Sequence, residues 1–299
     1  MAAAFNGSDS FVAKWMSVAL AKRRASTATK KKMRTTFRNL ERVTREGRWG
    51  SVDPATITAK QFKKYISVQV GRVSKRTVQN EASHLRRAIA GAGREEFARN
   101  VCTSQAMGVP SATRIGTGKA VDPDVLKAVL SKVRPDTKAI INLCHAMGLR
   151  GREAIQSAES LKEWARSLAA GQPVVIIRYG TKGGRIRSTF LCPSKAAAAA
   201  EAVAGALEVL KTQKHLVDSE NLKAALSTNH ARMKRAGLSG ENSLHSLRRD
   251  FALTQYRYYK GELDLSEKVA LQRLSNDLGH GDGRGRWVYN NYLRGSLNG

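Results

Sequence analysis

The sequence predicts a mainly α-helical protein of two domains, the first all helical and the second a mixed α/β, mostly helical fold with one small β-hairpin. Three observations carry that prediction. Apolar residues recur at helical spacing through the first hundred positions, with no alternating strand pattern among them. Between Cys102 and Pro123, Gly108, Pro110, Ser111, Gly116 and Gly118 interrupt every period, as a linker does. Beyond that break the one clear pair of strand signals flanks a glycine turn. The expected boundaries are a helical domain over 1–105, a linker over 106–122 and a second domain over 123–299.

In the first domain, Ser8-Asp9-Ser10 is expected to cap a helix carrying Phe11, Val12, Trp15 and Met16. Ser26 to Thr29 precede a second helix with Met33, Phe37, Leu40 and Val43 on one face. Thr58 caps a third, with Phe62, Tyr65 and Ile66. Ser74 starts a fourth, whose Val78, Ala82, Leu85 and Ile89 face inward. Its other face carries Lys75, Arg76, Arg86 and Arg87.

In the second domain, helices are expected at about 123–133 and 136–149, then another reaching about Gly171. Pro173 to Tyr179 and Arg185 to Leu191 read as strands, joined tightly by Thr181-Lys182-Gly183-Gly184 into a hairpin. Helices follow at about 194–213, 219–236, 245–260 and 265–278. A glycine-rich loop, Gly279 to Gly285, leads into a last short helix.

Charge narrows the function. The 299 residues hold 52 Lys and Arg against 24 Asp and Glu, a formal +28. The first hundred carry 22 basic and 7 acidic side chains, or +15, leaving +13 for the rest. An enzyme of small metabolites gains nothing from such self-repulsion, whereas a phosphate backbone neutralises it and releases counterions. With 41% apolar residues the chain is able to bury a core, which excludes a disordered basic tail. Cys102, Cys144 and Cys192 are widely spaced, so neither a disulfide framework nor a zinc site is expected. The N-terminus lacks a signal-peptide pattern and no apolar run is long enough for a bilayer, so the expectation is a cytoplasmic protein without a membrane partner.

Four segments place reactive side chains at element ends: Gly148-Leu149-Arg150-Gly151-Arg152-Glu153, Lys182 at the hairpin tip, His245-Ser246-Leu247-Arg248-Arg249, and Leu278-Gly279-His280 with Tyr289 and Tyr292 downstream. Each has a plain structural reading. Arg150 suits a helix C-terminus, Lys182 a solvated turn, His245 a cap, and Tyr289 with Tyr292 a packed helical stripe. Their conjunction in this order reads differently. Gly-Leu-Arg-x-x-Glu, Lys-Gly-x-x-x-Arg, His-x-Leu-Arg, Leu-Gly-His and then Tyr resembles the tyrosine recombinase (phage integrase) family. The matching residues are Arg150 with Glu153, Lys182 with Arg187, His245 with Arg248, and His280. The resemblance runs from about residue 10 to the end, the N-terminal helices being similar to that family's core-binding domain.

The resemblance implies a site-specific DNA recombinase of integrase or invertase type, a C-shaped clamp that cuts and rejoins DNA through a covalent 3′-phosphotyrosine. It implies double-stranded DNA with inverted-repeat sites as partner, and a homo-tetramer acting on two sites by way of a Holliday junction. The implied roles fit the residue chemistry. Forked guanidinium groups of Arg150 and Arg248 cradle the non-bridging oxygens, and Lys182 protonates the departing 5′ oxygen. His245 accepts the tyrosine proton or orients the phosphate, His280 donates to a phosphate oxygen, and Glu153 orients Arg150. No metal and no nucleotide cofactor are expected, since retained bond energy drives rejoining and cations replace Mg²⁺.

Lys75, Arg76, Arg86, Arg87, Arg152, Arg187 and Arg249 are the candidate DNA contacts. Arg249 departs from the family, standing where many members have a second histidine. The nucleophile is Tyr292, with Tyr289 the alternative. Tyr289 has the commoner spacing from His280, but the glycines at 281, 283 and 285 leave room for a longer loop. Two other readings stay open, a type IB topoisomerase-like strand transferase and a catalytically silent DNA-binding protein of the same fold.

Overall fold

The computed structural model describes residues 7–50, 52–112, 116 and 118–297. It divides into two compact units, Met1–Thr113 and Arg114–Gly299. Among the described residues no helix is long and apolar enough to cross a membrane.

The first unit is built of α1 (Gly7–Ala21), α2 (Thr27–Glu46), α3 (Ala59–Val70) and α4 (Lys75–Gly91), followed by a π-turn at Phe97–Val101. The caps expected at three of these helices form. Ser26 and Ser74 accept from the N–H groups of Thr29 and Thr77, and Thr58 makes a reciprocal capping box with Gln61. The fourth differs: α1 is already under way at Gly7, so Ser8 to Ser10 fall inside its first turn. The expected faces converge on Trp15, Phe37, Phe62, Tyr65, Leu85 and Ile89, all fully buried. Within this core Tyr65 donates to the Glu81 carboxylate at 2.9 Å, and Asn39 and Gln69 complete the network. Helices α1 and α4 meet at backbone distance, because a Cβ on Gly91 would overlap the Val18 carbonyl.

The second unit contains α5 (Pro123–Lys132), α6 (Pro135–Met147), the short α7 (Gly151–Ile155) and α8 (Leu161–Ala169), then strands β1 (Val174–Ile177) and β2 (Arg187–Phe190). After the strands come α9 (Pro193–Leu210), α10 (Leu222–Ala236), α11 (Leu244–Gly261) and α12 (Glu267–Asp277). The chain ends in α13 (Gly285–Val288), a π-turn over Tyr289–Leu293, and α14 (Arg294–Leu297). Helix α6 is central, packed by α9 and crossed by α11. Buried alanines at 199, 202 and 206 suit so close an approach of α9. Cys102, Cys144 and Cys192 are free and buried.

Strands β1 and β2 pair antiparallel, Val174 opposite Phe190 and Ile177 opposite Arg187. The hairpin expected from the sequence is present, but its connection is not the tight four-residue turn. It spans 178–186, with one short 3₁₀ turn at Lys182–Gly184. The reason lies at Gly180 (φ +72°), whose missing Cβ would stand 2.6 Å from the Arg152 carbonyl oxygen. The chain leaves the ladder there to lie against α7. Strand β2 is tied to the end of α12: Phe190 N–H donates to Asp277 Oδ1 at 3.0 Å, and Thr189 Oγ1 to the Asp277 carbonyl at 2.9 Å. Tyr259 donates to the other Asp277 oxygen at 2.6 Å. Burial raises the Asp277 carboxyl to about 6.

Candidate active site

Helix α6 ends at Gly148, in the left-handed conformation (φ +60°), with the Phe251 ring where a side chain would begin. That sharp exit buries Leu149 and turns Arg150 toward α7. Glu153, one turn on and 1% exposed, then serves several partners at once. Its Oε1 accepts from Arg150 Nη1 at 2.6 Å; its Oε2 accepts from the Arg150 N–H at 2.8 Å and from Arg187 Nη2 at 2.7 Å. Arg248 Nη1 stands 3.9 Å from the same carboxylate. Burial pushes the Glu153 carboxyl up, but Arg187, Arg248 and Arg150 more than offset it, so the group is held below the usual carboxylate range.

Arg248 leaves the first turn of α11 and is 1% exposed. Its two terminal nitrogens donate to the Gly148 and Leu278 carbonyls, and its Nε donates to the Tyr292 hydroxyl at 3.3 Å. Arg150 reaches the Leu278 carbonyl as well, at 3.5 Å. Gly279 (φ +66°) closes α12 and lets His280 turn back, so that its Nε2 lies 3.2 Å from Tyr292 Oη. The His245 and Tyr292 rings are 5.2 Å apart, centre to centre, and Trp287 packs on His280 at 4.5 Å. Loss of water, then the charges of Arg248 and Arg150, depress His280 to about 3. His245 keeps solvent access, yet desolvation followed by Arg249, Arg248 and Arg150 takes it to about 4. Both imidazoles are therefore neutral at pH 7, each with one ring nitrogen able to accept a hydrogen bond. Arg150, Lys182, His280, Arg284, Trp287 and Tyr292 line one open cleft of about 720 Å³.

Arg150, Lys182, His245, Arg248, His280 and Tyr292, drawn from separate stretches of sequence, thus gather around this cleft. His280, not His245, is the imidazole at the phenol. Tyr289 is elsewhere: it is half-buried and packs against the core of the second unit. The sequence put both tyrosines on one helical face. The π-turn undoes this, because its wider i→i+5 winding rotates residues three apart away from each other.

Of the candidate DNA contacts, Lys75 and Arg76 are exposed on α4, and Arg152 is exposed on α7, bonded to Gln156 at 3.2 Å. Arg86 and Arg87 are half-buried and hold protein carbonyls, those of Cys102 at 3.2 Å and Ala19 at 2.6 Å respectively. Arg187 is a correction. It is 8% exposed, paired with Glu153 and bonded to Thr189 and the Asp277 carbonyl, so its donors face the interior and not DNA. Arg249 is half-buried against Gly118.

The integrase family model matches residues 108–254, which hold Arg150, Glu153, Lys182, His245 and Arg248. Over those residues, just under half of its length, the chain is similar to the integrase family. Solved structures share its fold. A lambda integrase dimer bound to a COC′ core site is 17% identical, with a TM-score of 0.58 and 96% of each chain covered. The Tn1549 transposon integrase in complex with transposon right end DNA is 14% identical, with a TM-score of 0.55 and again 96% of each chain. A lambda integrase tetramer bound to a Holliday junction is 18% identical, with a TM-score of 0.55 over 92% of this chain and 77% of that one. No curated protein sequence matches this chain.

In this site, sequence reasoning missed the main-chain acceptors. The Gly148 and Leu278 carbonyls hold the arginines, and backbone atoms leave no mark in a motif. Trp287 and Arg284 were also missed, although the run Gly-Arg-Gly-Arg-Trp directly before the tyrosines marks their position. The Glu153 hub makes a stability prediction. Glu153→Ala leaves buried guanidinium groups uncompensated and should lower stability by about 3–5 kcal/mol, read as a denaturant midpoint. An unchanged midpoint would mean that the arginines do not depend on this carboxylate.

Proposed function

We propose that the protein is a site-specific DNA recombinase that cleaves and rejoins strands through a covalent 3′-phosphotyrosine formed by Tyr292. One observation carries this reading: the Tyr292 hydroxyl lies within hydrogen-bond reach of both Arg248 Nε and His280 Nε2, in the cleft that Arg150 and Lys182 also line. Tyr292 Oη attacks the scissile phosphorus, its proton passing to neutral His280, and the bond to the 5′ oxygen breaks as Lys182 protonates that oxygen. Arg150 and Arg248 stabilise the charge that develops on the non-bridging oxygens. For this, Arg248 exchanges a carbonyl partner for phosphate, while Glu153 keeps the two arginines from drifting apart. His245, at the open side, orients the phosphate. Rejoining reverses the step, so no external energy source is consumed.

The exposed Lys75 and Arg76 of the first unit and Arg152 of the second contact the backbone of double-stranded DNA. The tetramer on a Holliday junction formed by a protein of the same fold supports four protomers acting on two inverted-repeat sites. The test is covalent capture on duplex DNA nicked beside the cleavage position, in EDTA. A denaturation-resistant protein–DNA adduct is expected. Strict dependence on added Mg²⁺ would overturn the mechanism, and absence of any adduct on a cognate site would favour a silent DNA-binding protein. A two-site recombination assay separates recombinase from topoisomerase, since only a recombinase yields exchanged products.

A further inference from the structure

Gly116, Gly118 and Ala120, at the entry to the second unit, touch the turn that carries Tyr292, α11 and α14 respectively. Gly116 donates its N–H to the Asn290 carbonyl at 2.8 Å. A Cβ on Gly116 would stand 2.9 Å from the Asn291 carbonyl oxygen and 3.1 Å from its Cα, so only glycine permits that approach without moving the backbone. Gly118 lies against the Arg249 guanidinium, where a Cβ would fall 2.2 Å from Cζ and within 2.5 Å of both terminal nitrogens. Ala120 donates its N–H to Ser296 Oγ at 2.8 Å, on α14. These contacts fall on both sides of Tyr292 in sequence, at Asn290–Asn291 and at Ser296.

Arg249 closes the arrangement from the α11 side. Its neighbour Arg248 bonds the Tyr292 hydroxyl, while Arg249 has no acidic partner among the described residues. Its Nε is enclosed without a hydrogen-bond partner. Burial lowers its pKa, partly offset by Tyr292. Burying that Nε without a partner is costly. Helix α11, which carries Arg249, packs on the π-turn at Tyr289–Leu293, a wide i→i+5 winding that is rare and frequent at functional sites.

We propose that Arg249 is a positioning residue for the attack. Seated on Gly118, with Gly116 pressed on Asn290 and Asn291, it holds the π-turn where Tyr292 faces the phosphate. The proposal rests on Tyr292 being the nucleophile. It differs from the sequence expectation, which gave Arg249 a phosphate contact. The segment that enters the second unit thereby becomes part of the catalytic apparatus, through main-chain contacts at two glycines.

The experiment measures single-turnover covalent capture on nicked duplex DNA at saturating protein, alongside the Kd for the same DNA and the melting temperature. Gly116→Ala and Arg249→Ala should each slow capture by about 10–100-fold, as a misplacement near one ångström does. Kd should stay within about threefold and melting should be unchanged. Gly118→Ala displaces the guanidinium and should slow capture similarly. In the Gly118→Ala/Arg249→Ala double variant no further loss is expected, because the group that the new methyl displaces is gone. Additive losses would overturn the proposal, as would Arg249→Ala weakening Kd tenfold while capture at saturation stays at the wild-type rate. Tyr292→Phe run in parallel separates the two readings. If it retains the adduct, the nucleophile assignment fails. If it abolishes the adduct while Gly116→Ala and Arg249→Ala capture DNA normally, only the positioning role fails.

Discussion

Tyr292→Phe is expected to abolish the covalent protein–DNA adduct while leaving DNA binding intact, and Tyr289→Phe to keep at least a tenth of the wild-type capture rate. The difference follows from where the hydroxyls stand. Both rings pack with the apolar core, Tyr292 the more deeply, but Tyr292 Oη lies 3.2 Å from His280 Nε2 and 3.3 Å from Arg248 Nε. Removing one oxygen deletes the proposed nucleophile and leaves the ring that packs between His245 and Trp287. Binding draws on a net charge of +28, which comes from lysines and arginines that the substitution leaves in place. Peptide mapping of the trapped adduct reads the answer directly. A phosphotyrosine at position 289 would transfer the role and show that the DNA-free arrangement of the π-turn is not the reactive one.

Lys182→Ala should slow cleavage by about 10²–10⁴-fold, the usual worth of a general acid, with little change in affinity. Lys182 is exposed at the 3₁₀ turn of the hairpin, on the rim of the cleft that holds Arg150, His280 and Tyr292. Gly183 and Gly184 follow it, both at positive φ, a conformation that glycine adopts without strain. A 5′-phosphorothiolate at the scissile position leaves without a proton and should restore cleavage by the variant to near the wild-type rate. If the sulfur substrate is cleaved as slowly as the oxygen one, Lys182 acts in binding and another group supplies the proton.

Much of this was legible in the sequence, for local reasons. The helices of the first unit show themselves because Met33, Phe37 and Leu40, or Val78, Ala82 and Leu85, repeat at the period of a half-buried helix, and Ser26, Thr58 and Ser74 mark their starts. The gathering of Arg150, His245, Arg248 and His280 was legible only as an ordered set of motifs, since no single spacing reveals contacts over a hundred residues of chain. Arg187 misled because the exposures where the connection enters β2 run against the alternation. Ile186 is 61% exposed and Arg187 8%, so an apolar residue faces water and a cation faces the core. Alternation alone puts Ile186 inside; the deciding fact is Glu153, which lies 34 residues away. The shared face assigned to Tyr289 and Tyr292 assumed α-helical winding, and a π-turn has no strong sequence signature.

That turn also bears on how chains of this kind are compared with one another. An α-helix advances about 100° per residue, so one residue more or less before a nucleophile swings it to another side of the rod. The wide turn at Tyr289–Leu293 takes up such a change locally, and α14 continues beyond it. Residue count from His280 is therefore a poor coordinate for finding the reactive tyrosine. Angular phase around the last helix is a second coordinate: here the wide turn brings the Tyr292 hydroxyl to His280 and Arg248. Counting picks Tyr289 here, and phase picks Tyr292.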